Sequence, residues 1–289
     1  MTGIPLIRDA IYTGLLYPDS EEELRAALSS ELGFVPEPET CLRALISPHA
    51  AFSYAANIMA AAWGQVCARK TDRLVIIADL HPRLAQSLFP GVPHGILIPP
   101  FDYFSTPIGA VPVDQEACRE IEACSTLVTE SDTAHHEESA IELQALFAAY
   151  LLPGVPIVPV LMFGGNDIPV QTLARSLDYL FPEPNLDTVF IASCNMGAGN
   201  RKEEAERTLA VFGKAISENR PDYIIALAED NPHEAYRNLS IGVLLSMKSL
   251  QKRPRRIIVS KDSSAFCKSP SEPVVNYGAA GWYDAKRTS

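Results

Sequence analysis

Short apolar runs alternate with helix-like segments along most of the chain. The runs RALIS (43–47), LVIIAD (74–79) and TVFIAS (188–193) show no regular alternation with polar residues. Unalternating runs rich in β-branched residues are typical of strands that are covered on both faces. We therefore predict buried strands at 74–79 and 188–193 and a short strand at 43–47. Further strands are predicted at 155–163, where two prolines indicate an irregular strand, at 255–260 and 272–283, and as a strand pair, 94–101 with 109–113, around a loop from Asp102 to Pro107.

The helix signals are clearest between Ser20 and Leu32. Ser20 is a good N-cap, Glu21, Glu22 and Glu23 favour the positive end of the helix dipole, and Gly33 is a typical stop. Other helices are predicted at residues 57–65, 114–124, 138–151, 169–180 and 203–219, and one within 233–251.

Strands and helices alternate from end to end, with no internal repeat and no linker long enough to divide the chain. This order predicts an α/β fold: one layered α/β/α sandwich around a central mixed, largely parallel sheet. We assign residues 1–289 to a single domain.

Composition narrows the class of protein. The 289 residues are 47% hydrophobic, enough for a large core, and 24 basic against 35 acidic side chains give a net charge of −11. That charge argues against nonspecific nucleic-acid binding. No apolar run approaches the roughly 20 residues of a membrane span. The start has no signal-peptide pattern, and six scattered cysteines match no zinc motif, so we expect a cytoplasmic protein with reduced thiols.

Two histidines stand at the ends of predicted strands. His49 follows the strand RALIS, and His81 closes the run that begins at Leu74. Because α/β folds place their ligand sites at such strand ends, the pair is a plausible start to a metal or proton-transfer site.

Seven segments resemble, in order, the motifs of the Memo family, known in prokaryotes as protein B of the AmmeMemoRadiSam system. They are RDAIYTGLLYPDSEEEL (8–24), SPHAAFSYA (47–55), IIADLH (76–81), FSTPIGAVPVD (104–114), AHHEESAIELQALF (134–147), IASCNMGAG (191–199) and EPVVNYGAAGWY (272–283). The resemblance implies a fold like that of class III extradiol dioxygenases. It also implies metal binding with redox activity, binding of phosphotyrosine peptides, and AMMECR1-like and radical-SAM proteins as partners.

The chain departs from the family pattern at several polar positions. His49 and His81 match its strand-end histidines, and Glu138 and Glu142 match as well. A third histidine of the pattern falls on Ser139, whereas an aspartate and a later histidine fall on Asn195 and Ala198. Because a metal site needs about three or four protein ligands, the sequence predicts a site that has lost its metal.

Four residues are candidates to replace the missing ligands. If the helix that carries Ser139 extends back, His135 and His136 lie four and three residues before it, on one face. In the other interpretation, His135 is an ordinary residue of the family pattern and His136 is a surface side chain. Cys194 offers a thiolate or is a small buried thiol. Asp79, two residues before His81, is a ligand, an acceptor for a ligand, or an exposed loop carboxylate.

The resemblance and these residues together leave two main functions open. The first is a non-catalytic binding or accessory protein with no cofactor, which holds a peptide or small molecule in a cleft lined by Tyr54 and Tyr103. The second is a redox or dioxygenase-like enzyme with a divalent metal, which is iron, copper or zinc, on His49 and His81. A serine-hydrolase triad is excluded because no Gly-x-Ser-x-Gly elbow occurs.

Overall fold

The computed structural model describes residues 4–33, 40–66, 71–182, 188–230, 238–266 and 272–285. The strands are β1 (Ile7–Arg8), β2 (Leu42–Ser47), β3 (Arg73–Asp79), β4 (Gly95–Ile98), β5 (Tyr103–Thr106), β6 (Gly109–Pro112), β7 (Val128–Glu130), β8 (Ile157–Phe163), β9 (Thr188–Ser193), β10 (Ala198–Gly199), β11 (Arg255–Asp262) and β12 (Val274–Tyr283). The helices are α1 (Glu21–Leu32), α2 (Phe52–Trp63), α3 (Pro82–Leu88), α4 (Gln115–Cys124), α5 (Asp132–Glu137), α6 (Ser139–Leu151), α7 (Asp167–Leu180), α8 (Lys202–Glu218), α9 (Pro221–Asp230), α10 (Leu239–Ser246) and α11 (Lys248–Gln251).

Among the described residues, nine strands form one mixed sheet. Its order is β10-β12-β2-β9-β3-β8-β4-β7, and β11 also pairs with β12. The four central strands β2, β9, β3 and β8 are parallel, whereas β12 and β4 run antiparallel to their inner neighbours. The α/β class and the mixed sheet with a parallel centre are thus confirmed.

Helices pack in two groups around this sheet. Helix α1 contacts α2 and α6, and the latter two pack on the central strands. A second group joins α7, α9 and α10, and α10 packs on β3, β9 and β8. Leu74 to Ala78 in β3 are fully buried, as the unalternating pattern predicts for a covered strand. The assignment of 1–289 to one domain stays a prediction.

Two strand predictions are wrong. The segment Asp102–Pro107 is not a loop, because Tyr103–Thr106 forms β5, which pairs with β6 and with the N-terminal β1 in a separate three-stranded sheet. The strand predicted at 94–101 does not pair with 109–113 but joins the main sheet between β8 and β7. Strand β8 is also uninterrupted despite Pro159, which lies beyond the residues that pair with β4.

Candidate functional site: an edge with two imidazoles

The carboxyl ends of the parallel strands bring the candidate residues together. His49 follows β2, Asn195 follows β9, and His81 follows β3, and these three strands are neighbours in the sheet. The Asn195 amide oxygen accepts a hydrogen bond from the His49 backbone N–H at 3.2 Å. Strand ends that are far apart in sequence thus form one polar edge, where α/β folds place ligands.

The His49 ring is oriented by Ser193. Its Nδ1 lies 3.2 Å from the Ser193 hydroxyl, which donates to the Ala140 carbonyl at 2.8 Å and accepts from the Gln144 amide at 2.9 Å. A hydroxyl has a single hydrogen to donate, so we assign the His49 proton to Nδ1. The neutral ring then carries its lone pair on Nε2.

Burial keeps His49 neutral. Desolvation lowers the pKa of the His49 imidazole, the Glu138 carboxylate partly opposes this, and the nearby His81 lowers it further. His49, His81 and Glu138 therefore lie within electrostatic reach of one another.

His81 has the opposite proton arrangement. It is the N-cap of α3, and its Nδ1 accepts from the Arg83 backbone N–H at 3.3 Å. The neutral ring therefore carries its proton on Nε2. Because β3 ends at Asp79, strand alternation does not extend to His81, and the two side chains do not share a strand face.

Glu138 lies immediately before α6, which matches the helix predicted at 138–151 to within one residue. Its backbone is extended, with φ −91° and ψ 126°, and separates α5 from α6. Its carboxylate accepts from the Ala140 N–H at 3.1 Å and from the His81 N–H at 2.9 Å. The helix of Ser139 therefore does not extend back to His135 and His136, and their proposed placement on its face is wrong.

The two preceding histidines differ in exposure. His135 is fully buried, its Nε2 lies 3.1 Å from the Leu97 carbonyl, and burial lowers the pKa of its imidazole to about 3. Its Nδ1 has no hydrogen-bond partner in the described part of the chain. His136 is exposed, as one of the two interpretations had it.

Sequence reasoning missed the residue that holds this segment. Arg8 is fully buried, and its guanidinium donates to the carbonyls of His135, His136 and Glu138 at 2.9–3.2 Å. It also forms an ion pair with the buried Glu142. The signal available in the sequence was Glu142, a charged residue within the otherwise apolar stretch that forms α6.

Glu142 has further partners. Its carboxylate accepts from the Tyr12 N–H at 2.9 Å, from the Ile11 N–H at 3.2 Å and from the Tyr17 hydroxyl. Burial and this carboxylate raise the pKa of Tyr17. These contacts bind the N-terminal segment to α6.

The Asp79 carboxylate is hydrogen-bonded to the N-terminal end of α10. Its carboxylate accepts from the Leu239 N–H at 2.9 Å and the Ser240 N–H at 3.2 Å, and from the Ser240 hydroxyl at 2.8 Å. It therefore stabilises the start of α10, and the interpretation as an exposed loop carboxylate is wrong.

Cys194 is a buried thiol. Desolvation raises its pKa well above the ordinary value, and the Asp79 charge adds to this effect. The neutral thiol is thus favoured over a thiolate ligand. Cys67 and Cys267 lie outside the described residues.

The remaining candidates lie on three elements. Ser139 is half-buried at the start of α6, next to Glu138, and Tyr54 is exposed on the first turn of α2. Tyr103 is exposed on β5, where it pairs with Ile7 in the small sheet.

The donor set does not fit a metal ion. No group of three His, Cys, Asp or Glu side chains with metal-binding geometry occurs among the described residues. The carboxylates of Asp79, Glu138 and Glu142 are each held by two or more donors of the protein. Separately, no helix in the described ranges is long and apolar enough to cross a bilayer.

Fold and site together define a layered α/β protein with a polar edge at the carboxyl ends of its parallel strands. The family model described as Memo-like protein matches residues 8–281. The chain therefore belongs to the Memo-like family, which confirms the resemblance.

Relatives are similar over most of the chain. A MEMO1 family protein of Thermotoga sp. (strain RQ2) is 30% identical over 277 residues, 89% of this chain and 94% of the relative. One from Aeropyrum pernix is 29% identical over 239 residues, 77% and 81% of the two chains. A solved structure of an Escherichia coli K12 protein, JW3007, has a TM-score of 0.48 at 13% identity, covering 83% of this chain and 99% of that one. A likeness of that degree supports no functional statement.

Proposed function

We propose that this Memo family member is a non-catalytic binding protein whose ancestral metal site has lost its ligands. The observation that carries the proposal is the His81 ring, whose Nδ1 accepts a backbone hydrogen bond from Arg83. Coordination through Nε2 would require the proton to move to Nδ1, where it would face the Arg83 N–H. A histidine that ligates metal normally donates its other ring N–H to an acceptor, and His81 has a donor there instead.

The carboxylates support the same proposal. A two-histidine, one-carboxylate iron site needs an available carboxylate. Glu138, the acidic side chain that acts on His49, already binds two backbone N–H groups. Its recruitment to a metal would break the start of α6 and release His81.

One observation favours the metal-dependent redox enzyme as a second candidate. His49 has the tautomer of a metal ligand, with Nδ1–H directed at Ser193 and a lone pair on Nε2, and it interacts electrostatically with His81.

Metal analysis of purified protein separates the two candidates. We expect well below one iron, copper or zinc ion per chain, because a single favourable imidazole binds weakly. His49→Ala and His81→Ala should leave that content unchanged, like the control His136→Ala on the exposed neighbour. One metal per chain that disappears in both His49→Ala and His81→Ala would overturn the proposal. If the low metal content results from the lost ligand at position 139, Ser139→His should raise zinc binding.

We also propose that the chain acts beside AMMECR1-like and radical-SAM proteins in the cytoplasm, with family membership as the support. Co-expression with both proteins should give a complex that co-elutes in size-exclusion chromatography. Separate elution of all three at micromolar concentration would contradict this.

A further inference from the structure

We propose that a cavity next to the His49–His81 edge binds a small monocarboxylate with an apolar or aromatic body. The inference rests on the proposed binding role and names its ligand class. The cavity has a volume of about 440 Å³ and opens where β3 and β8 end, with α3 on one side. Ligand pockets for small molecules are typically about 300–1,000 Å³.

One wall of the cavity is apolar. Phe89 and Phe163 stack there with centroids 4.9 Å apart and planes at 16°. Leu80, Val92 and Met162 extend this wall. A flat or hydrocarbon ligand body buries apolar area against such a surface, and an aromatic one adds ring contacts.

The polar lining selects a negative group. Arg83 lines the cavity with an exposed side chain, for which the described part of the structure records no hydrogen bond or ion pair. By contrast, Arg8 and Arg73 pair with Glu142 and Asp114. A guanidinium without an acid partner binds a carboxylate with two parallel N–H donors.

The charge of the lining limits the ligand to one negative charge. Asp79 also lines the cavity, and its carboxylate is held by the N–H groups of α10. The donors at the start of α10 offset the Asp79 charge and leave the Arg83 guanidinium for one carboxylate, whereas the net charge of −11 on the chain disfavours a second negative charge on the ligand. A dianion such as a phosphate monoester would therefore be repelled more than a carboxylate.

Calorimetric titration tests the site with 3-phenylpropionate as the probe. We expect saturable binding that weakens at least tenfold in Arg83→Gln and at least tenfold for the neutral 3-phenylpropanamide. Arg119→Gln, which changes an exposed arginine on α4, is the matched control and should bind like the wild type. Ala85→Leu, which adds bulk to the lining, should also abolish binding while thermal melting shows a folded chain.

Three results would overturn the proposal: no binding at millimolar ligand, equal affinity in Arg83→Gln and Arg119→Gln, or tighter binding of phenyl phosphate than of the carboxylate. Metal content is measured on the same preparations. A stoichiometric metal together with Arg83-dependent binding would remove the metal-free role and leave this site standing. Metal-free protein that binds no carboxylate would rule out this site and leave the metal-free role standing.

Discussion

Glu142→Gln is expected to lower the free energy of unfolding by about 3–5 kcal/mol, because it leaves the buried Arg8 guanidinium without its carboxylate. Both side chains are fully buried. The neutral amide oxygen also accepts less strongly from the N–H groups of Ile11 and Tyr12. Urea denaturation followed by circular dichroism measures the loss.

Two further variants make this result interpretable. Glu21→Gln changes an exposed partner of Arg25 and should cost less than about 0.5 kcal/mol. The double variant Arg8→Met/Glu142→Met should lose less than the sum of its single changes, since it leaves no lone buried charge. A loss under 1 kcal/mol for Glu142→Gln would show that the ion pair is not needed to hold the N-terminal segment.

The sequence was sufficient to predict the helices and strands whose limits depend on residues only a few positions apart. The Ser20 hydroxyl accepts from the Glu23 N–H at 3.1 Å, and α1 ends before Gly33 as the sequence predicts. Likewise β3 and β9 cover the apolar runs that predicted them. In both cases a local hydrogen bond or burial directly stabilises these residue types, so their composition and spacing are enough to predict the element.

Elements that depend on remote partners could not be predicted this way. Strand β5 pairs on one edge with the nearby β6 and on the other, through Tyr103 and Phe104, with Ile7 and Arg8, almost a hundred residues earlier. The segment was assigned to a loop because its own residues do not show that partner.

The break between α5 and α6 has the same origin. No proline or glycine occurs from Asp132 to Leu151, and the local signal at the break is the Glu138 carboxylate, which accepts from the Ala140 N–H. Arg8 binds the carbonyls of His135, His136 and Glu138 from a remote position. A carbonyl that is satisfied by a side chain does not need the helical N–H, and the chain can turn there.

The same distinction applies to the candidate site, where the positions of the histidines could be predicted and the proton positions on their rings could not. The positions of His49 and His81 at strand ends follow from the predicted strands. Their tautomers do not, because that of His49 depends on the remote Ser193 and that of His81 on the start of α3, a helix that the sequence pattern does not predict. Sequence therefore locates the edge, whereas the hydrogen bonds determine which nitrogen of each ring carries the proton.

Acid is expected to destabilise the protein through His135. The unfolded imidazole titrates near its ordinary pKa of 6.5, and burial lowers the pKa in the folded chain to about 3. Between these values only the unfolded chain binds the proton, so stability is full above pH 6.5 and falls as the pH drops toward 3. At about 1.36 kcal/mol per pH unit, the loss between pH 6.5 and pH 5 is about 2 kcal/mol from this residue. The lowered pKa of His49 acts in the same direction.

His135→Gln tests this assignment, since an amide can still donate to the Leu97 carbonyl but does not titrate. The difference in unfolding free energy between pH 7 and pH 5, from urea denaturation, should shrink by about 2 kcal/mol in this variant. His136→Gln, on the exposed neighbour, should keep the wild-type difference. If both variants behave like the wild type, the acid sensitivity has another source, and the buried imidazole already accepts its proton in the folded chain.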